Sequence, residues 1–108
     1  PIKKSEVTKG KKQYKVGVYE GEIINGLADG YGVFKMTNGM TYKGTFKEDK
    51  AYGYGVMTFP DGSKYEGYFK NDMFNGYGIM TDKNGKKTFA EWENNKKKTS
   101  MFNTLWDN

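Results

Sequence analysis

The stretch that decides the fold is YKGTFKEDKAYGYGVMTFPDGSK, residues 42–64. It holds two short segments of alternating side chains, each followed by polar residues or glycine. The stretch before it, residues 19–41, and the stretch after it, residues 65–87, repeat the same pattern without a gap. A fixed repeat of this length is typical of an array in which one small structural unit is stacked along an axis.

The first segment of the central repeat has the side-chain alternation of a β-strand. Tyr42, Gly44 and Phe46 share one face of such a strand, and Lys43 and Thr45 share the other. Glycine normally weakens a strand. Its recurrence in every repeat predicts that each aromatic ring lies over a neighbouring backbone, where a Cβ atom would clash.

Turn signals divide each repeat into two strands. Tight turns are favoured at Asn38-Gly39, Asp61-Gly62 and Asn84-Gly85. The other connection, residues 47–52 in the central repeat, is predicted to be a longer loop. We therefore expect an all-β fold, an elongated and twisted single-layer antiparallel meander of about seven strands.

The chain divides into three regions. Residues 1–13 are rich in lysine and lack an apolar pattern, so we expect a flexible leader. Residues 14–95 form the array, which consists of repeats 19–41, 42–64 and 65–87 and a partial closing repeat, 88–95. In residues 96–108, a helix would align Met101, Phe102, Leu105 and Trp106 in one stripe. This C-terminal segment either caps the sheet or docks a partner.

The repeat resembles the MORN family (membrane occupation and recognition nexus), whose unit runs roughly Tyr-x-Gly-x-Phe, a polar loop, Gly-x-Gly, a short apolar run and a glycine turn. Residues 42–46 and 65–69 match this unit closely, and residues 19–23 depart only in having Ile23 for the aromatic residue. The resemblance covers residue 19 to about residue 95. It implies a role in cytoskeletal, ciliary or membrane-skeleton assemblies, and therefore a cytoplasmic protein with cytoskeletal or membrane association. MORN arrays also flank lipid kinases and lysine methyltransferases, so an accessory domain cut from such an enzyme is an alternative.

The composition removes most catalytic chemistry. The chain has no histidine and no cysteine, so it lacks the usual triad base, the thiol nucleophile and the common zinc ligands. Two carboxylate pairs, Glu20 with Glu22 and Glu48 with Asp49, have no apolar pocket in view and are interpreted as surface charge. We expect no enzymatic activity, no cofactor and no metal.

Two modes of binding remain. The favoured one is a non-catalytic scaffold that captures a linear or helical segment of a partner protein on the aromatic second face of the sheet. Its candidate residues are Tyr31, Val33, Tyr54, Val56, Tyr77, Ile79, Phe102 and Trp106. Aromatic side chains suit this role because they give a large contact area for little lost conformational freedom.

The alternative is a module that binds anionic phospholipid. All 18 basic residues are lysine, the formal net charge is +5, and the lysines crowd the two ends of the chain. The candidate lipid-binding residues are Lys86, Lys87, Lys96, Lys97 and Lys98. Nucleic acid is not expected as a partner, because the aromatic residues serve the sheet and no nucleic-acid motif is present. A homodimer through an array end stays open.

Overall fold

The structure is a computed structural model that describes residues 6–98. In this part of the chain, a single antiparallel sheet of nine strands follows the chain order as a meander. The strands are β1 (Val7–Tyr14), β2 (Gly17–Ile24), β3 (Leu27–Met36), β4 (Thr41–Lys47), β5 (Lys50–Thr58), β6 (Lys64–Lys70), β7 (Met73–Thr81), β8 (Lys87–Glu93) and β9 (Lys96–Lys97). The predicted all-β meander is confirmed, with nine strands where about seven were expected.

The two extra strands flank the predicted array. β1 pairs with β2 along its whole length, so the prediction of a flexible leader is wrong for residues 7–13. The polar strand is held because Lys9 lies opposite Glu22, Lys11 lies opposite Glu20, and the Tyr14 ring packs on the core. β9 pairs with the end of β8 as the second strand of the partial fourth repeat.

The two strands of each repeat are joined by a two-residue turn, so the prediction of a longer loop is wrong. Glu48 and Asp49 both have positive φ, 48° and 70°, as a type I′ turn requires. Two hydrogen bonds join the turn to the preceding repeat. The backbone N–H of Asp49 donates to the Ala28 carbonyl (2.9 Å), and the Ala28 N–H donates to Asp49 Oδ1 (2.8 Å). The same two bonds recur between Asp72 and Ala51 and between Asn95 and Phe74.

The second strand of each repeat contains a bulge. In the central repeat Gly44 lies opposite Gly55 and Phe46 lies opposite Ala51, so three residues of β5, 52–54, face Thr45 alone. The register between β2 and β3 and between β6 and β7 shifts at the same repeat position. Bulges bend a strand and increase its twist, so the same bend is built into all three repeats.

Buried tyrosines and paired glycines form the centre of the sheet. A Cβ atom on Gly44 would lie 2.5 Å from Gly55 Cα and 2.8 Å from the Tyr42 hydroxyl. A Cβ atom on Gly55 would lie 2.5 Å from Cε1 of the Tyr42 ring. The predicted reason for the glycines is therefore confirmed, since the Tyr42 ring and the facing backbone occupy the space that a side chain would need.

The aromatic rings of consecutive repeats interlock on one face of the sheet, called here the core face. Tyr19 packs edge-on against Phe46 at 4.9 Å, and Tyr42 packs edge-on against Phe69 at 4.9 Å. The third step places Tyr65 5.8 Å from Trp92. These rings are the main apolar contacts between repeats, so each repeat depends on its neighbour for a complete core.

Candidate functional site

The predicted scaffold tyrosines lie on the face opposite the core, called here the outer face. Tyr31, Tyr54 and Tyr77 are 55%, 54% and 56% exposed. They occupy the same repeat position on β3, β5 and β7, which are alternate strands of the sheet. The structure therefore brings the three predicted tyrosines into one row across the sheet.

Two aromatic residues that sequence reasoning missed complete this row. The Tyr68 ring lies 5.7 Å from the Tyr54 ring at an interplanar angle of 79°, and the Phe89 ring stacks on Tyr77 at 5.9 Å and 8°. Alternation was the available signal, because Tyr68 lies between the inward-facing Gly67 and Phe69. The five residues of this outer tyrosine row are Tyr31, Tyr54, Tyr68, Tyr77 and Phe89.

The predicted aliphatic residues lie on the same face but do not form a continuous apolar patch. Val33 and Val56 both lie opposite Lys43, and Val56 and Ile79 both lie opposite Glu66. All three aliphatic side chains are half-buried. Lys43 and Glu66 separate these three side chains, so they form no continuous surface. The outer tyrosine row is the larger apolar contact surface on this face.

The core face carries an open groove that sequence reasoning also missed. Its cavity volume is about 550 Å³. Among the residues that line it are Tyr14, Phe34, Met36, Met40, Tyr42 and Met57. Phe34, Met36 and Met40 are only half-buried. In residues 6–98 no second layer covers this face, because all nine strands belong to one sheet.

Two carboxylates, Asp49 and Asp72, lie at the rim of the groove. Asp49 accepts hydrogen bonds from the Tyr14 hydroxyl and the Ala28 N–H, and its Oδ2 lies 3.6 Å from Lys12 Nζ. Desolvation acts to raise the pKa of Asp49, but these two hydrogen bonds and the Lys12 charge outweigh it and place the pKa below its usual value. Asp49 is therefore ionised at neutral pH and is paired with Lys12.

The hydroxyl groups beneath the groove serve the fold. The Tyr19, Tyr42 and Tyr65 hydroxyls donate to the carbonyls of Glu22, Thr45 and Tyr68, at 2.6, 2.9 and 3.1 Å. Burial is the largest cause that raises their pKa, to about 12 for Tyr19. These groups stay protonated, so they are poor nucleophiles and poor bases.

The comparison with protein families agrees with the geometry. The sequence model of the MORN repeat matches residues 19–41, 42–64 and 65–87, which is more than half of the chain. The chain belongs to the MORN repeat family. MORN repeats are generally involved in membrane or protein interaction, and the family is typically non-catalytic. A search of curated proteins found no match to the chain.

Two carboxylates of this MORN array hold its backbone together. Glu22 Oε1 accepts a hydrogen bond of 2.6 Å from the Tyr31 N–H, and Asp49 closes the turn described above. No group of three potential metal ligands lies close together in the described chain. One member of each carboxylate pair, Glu22 and Asp49, therefore has a role in the local structure.

The lysines of the lipid-binding alternative are not brought together. Lys87 begins β8, whereas Lys96 and Lys97 pair with Glu93 and Trp92 at its other end. A strand of this length spans about 20 Å. Lys98 lies 3.5 Å from a Glu91 carboxylate oxygen.

No helix within residues 6–98 is long and apolar enough to cross a membrane. Phe102 and Trp106, the last two predicted scaffold residues, lie outside the described residues.

Proposed function

We propose that this MORN array is a non-catalytic scaffold that captures an apolar segment of a partner protein in the groove of its core face. The observation behind the proposal is the open, mostly apolar groove. Its volume of about 550 Å³ falls in the range of ordinary ligand sites. The methionines at its surface, Met36 and Met40, are adaptable side chains that recur in peptide-binding grooves.

The chemistry of the groove selects an occupant. An amphipathic helix would place its apolar side chains against Phe34, Met36 and Met40, as helices do in other hydrophobic grooves. The carboxylate of Asp72, which also lines the groove, favours a basic side chain next to the apolar stripe. We therefore propose a helical partner segment with one apolar face and a flanking lysine or arginine.

The test is a pull-down with three versions of the chain, followed by mass spectrometry at low and high salt. Met36→Glu puts a charge in the groove, and Thr58→Glu puts one on the exposed outer side of β5 as a matched control. We expect a stoichiometric partner that resists high salt, is lost with Met36→Glu and is kept with Thr58→Glu. A partner that Met36→Glu retains, or that salt alone removes, would contradict the groove.

The residues predicted from sequence on the outer face supply a second contact surface for the same scaffold. Tyr31, Tyr54 and Tyr77 are exposed there without a covering layer in residues 6–98. Tyr54→Ala should weaken capture of a partner that uses this face while leaving the fold intact. A Tyr54→Ala chain that unfolds, or that binds every partner normally, would argue against this surface.

Four further proposals come from the sequence. The separation of Lys87 from Lys96 along β8 gives an anionic membrane a dispersed target. Vesicles of phosphatidylserine in phosphatidylcholine, sedimented with the chain at two salt concentrations, test this alternative. A cytoplasmic location with cytoskeletal or membrane association, dimerisation through an array end, and origin as an accessory domain of an enzyme also stay proposals. Imaging would test the location, and light scattering would test dimerisation. The sequence of a longer parent chain would test the origin as an accessory domain.

A further inference from the structure

We propose that the outer tyrosine row binds a proline-rich segment in the polyproline II conformation, with a basic residue at one end. The site is separate from the groove, because the row lies on the opposite face of the sheet. The inference rests on the proposed scaffold function only in that both invoke a protein partner.

The spacing of the row is the first argument. Tyr31, Tyr54 and Tyr77 lie on alternate strands, and neighbouring strands are about 4.8 Å apart, so the tyrosines recur about every 9.6 Å. A polyproline II helix makes one turn in three residues with a rise of about 3.1 Å per residue, so it repeats every ~9.3 Å. Three turns therefore stay in step with three tyrosines.

Other regular peptide conformations fit the spacing less well. An α-helix repeats every ~5.4 Å, and a β-strand presents the same side every ~6.8 Å. Neither repeat divides evenly into about 9.6 Å. A peptide in one of these conformations would meet at most two tyrosines in an equivalent way.

The orientation of the rings is the second argument. Tyr54 and Tyr68 are nearly perpendicular (79°) with centroids 5.7 Å apart, so they form an edge-to-face pair with exposed aromatic surface. Tyr77, the next tyrosine of the row, stacks face to face with Phe89. Exposed aromatic surfaces bind proline-rich segments in known modes of peptide recognition, and the preformed polyproline helix loses little conformational freedom on binding.

Hydrogen bonding supports the same partner. A polyproline II backbone makes no internal hydrogen bonds, so its carbonyl groups are free acceptors. The hydroxyl of the buried Tyr42 is committed to the Thr45 carbonyl. The tyrosines of the outer row are instead about half exposed, so their hydroxyls can donate to a bound peptide.

Charge at one end of the row sets the flanking residue and the direction. Glu91 lies opposite Tyr77, and its side chain is 42% exposed. Glu66 lies on β6, opposite Ile79 and within the row, and its Oε1 is already 3.6 Å from Lys64 Nζ. A lysine or arginine beside the proline run would complement the Glu91 carboxylate at the end of the row. Glu91 also contacts Lys98, but this ion pair is exposed and contributes little energy, so a basic residue of the peptide can replace Lys98.

The experiment measures binding of labelled synthetic peptides by fluorescence anisotropy. The first probe is nonaproline flanked by arginine, the second replaces every proline by alanine, and the third replaces the arginine by glutamate. We expect the first probe to bind at least about tenfold more tightly than the second, because ordering the alanine chain costs more entropy. We expect the third probe to bind more weakly than the first.

Matched variants locate the site. Tyr54→Ala should weaken binding of the first probe about tenfold or more, and Glu91→Gln should abolish the preference for arginine over glutamate. Tyr52→Ala removes another exposed tyrosine of β5 that lies outside the row, and Met36→Glu disrupts the groove. Both should bind the probe like the wild type. Circular dichroism melts verify that each variant is folded, and Phe89→Ala replaces Tyr54→Ala if that variant is unfolded.

Each of the following results would overturn the proposal. They are no binding of the proline probe, equal binding of the proline and alanine probes, and equal losses with Tyr52→Ala and Tyr54→Ala. Loss with Met36→Glu alone would also overturn it and assign the peptide to the groove. The groove proposal is tested by its own partner and its own variant, so the two can fail independently.

Discussion

At the scale of residues, each buried tyrosine depends on two glycines that face each other across neighbouring strands. Gly67 lies opposite Gly78, and the Tyr65 ring covers both. A Cβ atom on Gly67 would lie 2.5 Å from Gly78 Cα and 2.5 Å from the Tyr77 carbonyl oxygen. Both contacts are with backbone, which cannot move without opening the sheet. The glycines are therefore required for space.

The first prediction is that Gly67→Val destabilises the protein by about 3 kcal/mol or more, the upper end of overpacking costs. Gly10→Ala is the matched control on β1, because its Cβ would meet nothing closer than Ile23 Cδ1 at 3.8 Å. That control should stay within about 0.5 kcal/mol of the wild type. Thermal melts followed by circular dichroism compare the three chains. An unchanged melting temperature for Gly67→Val would refute the ring-packing explanation.

The second prediction concerns alkaline pH. Burial, with help from the charges of Glu22 and Asp29, raises the pKa of Tyr19 to about 12, above its usual value of 10.0. The folded state therefore holds this proton more tightly than the unfolded state. The resulting stability is complete below about pH 10 and is lost as the pH rises towards 12. Urea unfolding should show a steeper decline over this range for the wild type than for Tyr19→Phe, and parallel curves would count against the effect.

At the scale of elements, β1 shows where sequence reasoning stopped. Residues 7–13 lack the Tyr-x-Gly signal, and their alternating side chains are mostly polar, so the stretch resembles a leader. Its order comes from partners distant in sequence, namely β2 along its length and Asp49 at its end. The three repeats contain their own turn and packing signals and were predictable. The two-residue turns were not, because Asp49 and Asp72 reach back to the preceding repeat.

The third prediction tests how Asp49 holds β1. Its pKa lies below the usual value in the folded state, so its contribution to stability is present above about pH 4 and is lost as the pH falls through the lower folded value. Asp49→Asn loses the attraction to Lys12 at neutral pH. We expect faster amide hydrogen exchange in residues 7–14 of this variant near neutral pH, with the difference from wild type shrinking in acid.

The control for Asp49→Asn is Asp61→Asn. Asp61 also has a lowered pKa, caused first by the hydrogen bond from the Ser63 hydroxyl, but it lies in the turn between β5 and β6. Its replacement should leave exchange in β1 unchanged. If both variants speed exchange in β1 equally, the effect comes from the change in net charge. It would then not come from the contacts of Asp49 with β1.

At the scale of the whole molecule, the sheet has two usable faces, and the sequence predicted them unevenly. Tyr31, Tyr54 and Tyr77 could be assigned to the outer face from alternation alone. The groove could not, because it depends on how Phe34, Met36 and Met40 are left partly uncovered by the packed tyrosines. A repeat pattern indicates which side chains point inwards. It does not indicate which of them the next repeat fails to cover.

The fourth prediction is that one repeat can be removed without loss of the fold. Deleting residues 42–64 joins Thr41 to Tyr65, and the new neighbours have the same identities as the old ones: Phe34 would face Tyr65 as it now faces Tyr42. Asp72 would take the place of Asp49 beside Ala28. Because the stability of an array is approximately a sum of repeat and interface contributions, the shortened chain should unfold cooperatively at lower urea concentration.

The register of the array is what this deletion tests. Removing residues 42–53 takes out about half a repeat and places Tyr54 where Tyr42 now stands, so an outward residue would enter the core position. This chain should lose the cooperative transition, whereas the chain lacking residues 42–64 should keep it with a smaller dependence on urea, since less surface is exposed on unfolding. Equal behaviour of the two deletions would mean that the stacked 23-residue unit is not the unit of folding.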